Sequence, residues 1–141
     1  MVCGMGAWGT GLFENDSALD LLDDIVLDRF ELDDLRRGLE EVEISHEVGC
    51  GVLTLIELTL AGHGLREMPV TDGMTRELIH RTIDGARAAW LLDQTDKVLR
   101  PGSEEYDLWH EAGPEIFREW LGHANAAVAD LRQLRQHLIG P

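Results

Sequence analysis

Apolar side chains recur every third or fourth position along most of this chain, the spacing that puts them on one face of an α-helix. Ala18, Leu19, Leu22, Ile25 and Val26 share such a face, while Asp20, Asp24 and Asp28 line the opposite side with Asp23 close by. Asn15 or Asp16 is well suited to cap this helix, and Asp20 adds negative charge near its start. Leu32, Leu35, Leu39 and Val42 form a second stripe over 32–42, with Asp33 and Asp34 near its N-terminus. Residues 45–51, with His46, Glu47, Gly49 and Cys50, read as a break.

The run from Val52 to Ala61 is apolar on nearly every side. Its β-branched content would suit a strand, but no second strand-like run exists to satisfy the backbone of a lone one. It is therefore read as the buried central helix, stopped by Gly62-His63-Gly64. A further helix is expected from about Asp72 to Asp93, with Leu78, Ile79, Thr82, Ile83, Ala86, Ala89 and Trp90 turned inward. Ser103 to Trp109 should form a short helical turn. Pro114 then opens the last helix, where Phe117, Trp120, Leu121, Ala124, Val128, Leu131, Leu134 and Leu138 stay in phase. These elements predict an all-α fold: one domain over 1–141, an irregular antiparallel bundle of about five helices. The glycine- and aromatic-rich N-terminal segment packs across it, and residues 1–4 are a disordered extension.

Charge changes the picture more than composition does. The net charge is −15, and it is uneven: residues 1–60 hold 14 acidic side chains against Arg29, Arg36 and Arg37. So negative a surface repels nucleic-acid phosphates and anionic lipid and attracts basic partners. No apolar run approaches the ~20 residues that span a bilayer, and the N-terminus lacks the pattern of a secretory signal. A cytoplasmic location is expected. Cys3 and Cys50 sit in such different settings that no disulfide framework is indicated.

Catalytic signals are sparse. Ser17, Ser45 and Ser103 all stand where helix caps belong, and no nucleophile-elbow motif surrounds any of them. His46-Glu47 and His110-Glu111 each resemble half of a zinc-protease motif without the second histidine. His46, Cys50 and His63 are donor types that suit zinc, but their spacing fits no standard zinc site. Gly9-Thr10-Gly11 is followed by no Lys-Ser/Thr pair, so it is not a phosphate loop. No catalytic residue, metal or cofactor is assigned. Trp8, Phe13, Asn15 and Asp16 read as an anchor and cap for the first helix. Tyr106, Trp109, Phe117 and Trp120 read as core packing at a helix–helix corner.

The run Gly6-Ala7-Trp8-Gly9-Thr10-Gly11-Leu12-Phe13-Glu14-Asn15-Asp16 resembles the opening of a small bacterial family, domain of unknown function DUF4259. Ser103-Glu104-Glu105-Tyr106-Asp107-Leu108-Trp109 is similar to that family's Ser-Glu-Leu-Xaa-Xaa-Leu-Trp segment, and Leu131-Arg132-Gln133-Leu134-Arg135 to its closing run. Glu14 stands where the family usually has Asp, and Glu105 where it usually has Leu. The resemblance implies that Met5 is the natural start, and it brings no catalytic residues with it.

The sequence therefore favours a non-catalytic protein-binding module. Its expected contact surface is Asp20, Asp23, Asp24, Asp28, Asp33 and Asp34, offered to a basic protein and not to nucleic acid or membrane. The alternatives are a homo-oligomer (a homodimer, for instance) built on tryptophan-rich faces, and a hydrolase or transferase using His46, Glu47, His63 or His80.

Overall fold

The computed structural model describes residue 7 and residues 9–138. The proposed extension 1–4, Cys3, Gly6, Trp8 and the side chain of Leu138 lie outside the described residues. The chain is all-helical: α1 (Asp16–Val26), α2 (Leu32–Leu39), α3 (His46–Gly62), α4 (Arg76–Thr82), α5 (Gly85–Val98), α6 (Glu104–Glu111) and α7 (Pro114–Leu138). No strand forms among the described residues; the only extended pairing there is an isolated antiparallel bridge between Ala7 and Asn15.

Helix α3 organises the molecule. Thirteen of its 17 residues are buried, and each of the other six helices packs against it. The Val52–Ala61 run is indeed helical. Val52, Leu55, Ile56, Leu58 and Leu60 are fully enclosed, each contributing on the order of 1.5–3 kcal/mol of burial. Thr59 avoids an unmet hydroxyl by donating to the Leu55 carbonyl at 2.7 Å.

Among the described residues seven helices stand where about five were expected, and the differences have local causes. The expected helix over 72–93 is two helices. Asp84 adopts extended backbone and caps α5, its side chain accepting from the Arg87 amide at 2.9 Å. The resulting bend changes the inward phase, so that Ala88, Leu91 and Leu92 are buried while Ala86 is exposed. The Ser103 turn is a full helix, α6. Helix α3 begins six residues earlier than the apolar run, at His46, because Ser45 caps it by accepting from the Val48 amide at 3.2 Å. Helix α2 stops at Leu39, leaving Val42 fully exposed instead of buried.

Glycines explain how six helices reach one. A Cβ at Gly49 would lie 2.8 Å from the Glu105 Cβ, and one at Gly62 would lie 2.7 Å from Ile79 Cγ2. Both glycines are in α3, where their missing side chains let α6 and α4 come close.

Candidate functional site

Asn15 and Ser17 from the N-terminal side and Glu104 and Glu105 of α6 converge on the first two turns of α3. Asn15 is buried, and its Oδ1 accepts from the Ala18 amide at 2.8 Å, capping α1. The same oxygen lies 3.2 Å from Cys50 Sγ, which donates to it. Asp16, the first residue of α1, is exposed. Glu14 folds back so that its Oε1 accepts from the Gly11 amide at 2.9 Å, with Gly9 close against the same carboxylate. Leu12 is buried and Phe13 packs partly on the core.

From the other side, Glu104 Oε1 accepts from the His46 amide at 2.7 Å, satisfying a first-turn donor of α3. Glu105 is buried, and its Oε1 lies 2.7 Å from His46 Nδ1. With the Nδ1 proton given to Glu105, His46 Nε2 is free to accept from Ser17 Oγ, 3.5 Å away. Ser17 is inside the first turn of α1, not its cap. Ser103 is buried at the start of α6, its hydroxyl without a partner among the described residues. Leu108 packs against the core and Trp109 is enclosed within it.

Electrostatics follow from this packing. The hydrogen bond to Glu105 raises the His46 pKa above 6.5, against the opposing effect of burial. Burial pushes the Cys50 thiol up to about 12, so it is protonated at neutral pH and inert as a nucleophile. The enclosed Cys50 is a free thiol among the described residues.

The six expected aspartates do not share one face. Asp20, Asp24 and Asp34 line a cleft of about 380 Å³, whose walls also carry Glu31 and Glu47 and whose floor includes Leu21, Phe30, Leu35, Val48 and Gly51. Among the described residues Arg29 is its one cation, held 3.2 Å from Asp24. Asp34 pairs with Arg37, and Asp33 lies 3.9 Å from Arg36. Asp28 borders a different groove, alongside Arg81 and Arg87. Asp23 and Asp33 project into solvent outside the cleft. Charge counting located the acidic region but could not reveal its apolar floor, because Phe30 and Val48 carry no signal apart from the fold.

The histidines separate into two places. His46 and His63 occupy opposite ends of α3, roughly 25 Å apart along a helix of that length, so they cannot share a metal with Cys50. His63 and His80 meet edge to face, ring centroids 4.6 Å apart. No three metal-ligating side chains converge among the described residues. Of the aromatic corner, Trp109 and Trp120 are core, stacked at 5.6 Å, while half-buried Tyr106 and Phe117 meet at 5.1 Å and pack against the core from outside. Trp90 is half-buried, with the Arg36 guanidinium 5.3 Å above its ring.

Fold and site together define an acidic protein, all-helical over the described residues, in which the N-terminal segment and α6 clamp the start of a buried central helix beside an acid-walled cleft. The chain belongs to the family described as domain of unknown function DUF4259, which matches residues 6–123. No curated protein and no solved structure matches it. No helix among the described residues is long and apolar enough to cross a membrane.

Proposed function

We propose that the protein is a binding module that takes a basic, amphipathic segment of another protein into the cleft between α1 and α2. The observation that supports it is the convergence of five carboxylates from three neighbouring segments around an apolar floor, against Arg29 alone among the described residues. Asp24 and Asp34 are partly offset by arginines, whereas Asp20, Glu31 and Glu47 have no ion pair among the described residues. A lysine- or arginine-bearing helix would satisfy the rim while its apolar face covers Phe30 and Leu35. The rim charges chiefly speed association, and salt weakens them.

Fluorescence anisotropy with a labelled basic amphipathic peptide tests this. Asp20→Asn/Asp24→Asn/Asp34→Asn should lose about tenfold or more in affinity at low salt. The matched control Asp23→Asn/Asp28→Asn/Asp33→Asn, all outside the cleft, should lose little. Equal losses in both would reduce the effect to net charge and overturn the proposal.

A second reading, acyl transfer or hydrolysis, is favoured by the Ser17–His46–Glu105 chain, whose outer hydroxyl lines the same cleft. Ser17 Oγ would bond to an acyl carbon while its proton passes to His46 Nε2. The bond to the leaving group then breaks, that group taking the proton, and water repeats the sequence to free the acid. A fluorophosphonate adduct mapped to Ser17 and lost in His46→Gln supports it. No adduct on the folded protein refutes it.

A further inference from the structure

At the far end of α3 a second cavity, of about 230 Å³, has chemistry at odds with the rest of this negative molecule. Three potential cations face it from three helices: His63 at the end of α3, His80 of α4 and Arg135 of α7. Its remaining wall is mostly apolar, with Ile83, Ala88 and Leu131 buried around it. The Arg135 Nε is fully enclosed yet finds no acceptor among the described residues. A buried donor of a charged group left unmet is costly, on the order of 1–3 kcal/mol or more. Such a group marks a place where a missing acceptor would be favoured.

From this geometry we infer that the cavity is a binding site for a small carboxylate with a short apolar tail. The carboxylate accepts from Arg135 and from the His63 and His80 ring nitrogens, and the tail lies against Ile83, Ala88 and Leu131. The volume falls below the ~300–1,000 Å³ of sites for drug-sized ligands, which restricts the occupant to acids of a few carbons. Among the described residues Asp84 is the one carboxylate on the wall, and its Oδ1 already accepts from the Arg87 amide as the cap of α5. The site is separate from the α1–α2 cleft, so it neither requires nor excludes docking of a basic segment there.

Burial and the neighbouring His80 lower the His63 pKa. The ring is then neutral at pH 8, and a bound anion draws a proton onto it. Binding must therefore tighten as pH falls toward 6, with Asp84 the only lining group among the described residues whose charge opposes it.

The test is calorimetric titration of the full chain with butyrate, with n-butanol as the uncharged control and histidine-ring NMR as the second readout. Saturable butyrate binding is expected, tighter at pH 6 than at pH 8, shifting the His63 and His80 ring resonances. Arg135→Gln should weaken it about tenfold or more, the scale of one charge-assisted hydrogen bond. Butanol should bind at least about tenfold more weakly than butyrate to the wild-type protein. Equal binding of butyrate and butanol would mean an apolar void only, and no saturation, or saturation without shifts at His63 and His80, would also overturn the assignment.

Discussion

Asn15 illustrates how much a single polar side chain can settle. One amide oxygen caps α1 through Ala18 and accepts from Cys50 in α3, so the start of one helix is tied to the interior of another. His46 and Glu105 tie α3 to α6 in the same way, by a 2.7 Å bond whose carboxylate is almost wholly buried. The partner raises the His46 pKa in the folded state. Its stabilising effect is thus fully present below the unfolded value of about 6.5 and is lost as pH rises through the higher folded value. Urea unfolding at pH 6 and pH 8 should show this loss in the wild-type protein. Glu105→Gln should be less stable at both and show a smaller difference between them. An unchanged difference in Glu105→Gln would show that the pair does not set this pH dependence.

At the scale of elements, most of the helical pattern is readable from residue spacing, and the errors fall where tertiary contacts overrule it. Gly49 and Gly51 read as breakers because helix propensity penalises glycine by about 1 kcal/mol. In the fold they admit Glu105 and Leu35 against α3, and close approach outweighs the penalty. Val42 kept helical phase in the sequence, yet nothing covers it and α2 ends before it. The bend at Asp84 was hidden because Thr82 and Ile83 continue the apolar rhythm into it. The role of Glu105 is intelligible only in three dimensions, where His46 meets it. Gly49→Ala tests the close approach: its Cβ would press on the Glu105 Cβ at 2.8 Å. The overpacking cost of about 1–3 kcal/mol should exceed the gain in helix propensity. Denaturant unfolding should therefore show net destabilisation, whereas a stabilised Gly49→Ala would show that α6 has room to shift.

For the whole molecule, the excess of negative charge is distributed by the helices into unlike environments. Some carboxylates pair with arginines, one is buried against a histidine, and a subset gathers around an apolar cleft. Exposed ion pairs contribute little to stability, about 0–1 kcal/mol each, so the cleft group is not explained by folding alone. Sequence charge predicted an acidic face; only the fold divides it into a cleft and bystanders. An NMR titration of the isotope-labelled chain with a basic amphipathic peptide examines that division residue by residue. Docking in the cleft requires the largest amide shifts at Leu21, Phe30, Leu35, Val48 and Gly51, all diminishing with added salt. Shifts strongest around Asp23, Asp33 and the groove beside Asp28, with the cleft floor silent, would contradict it.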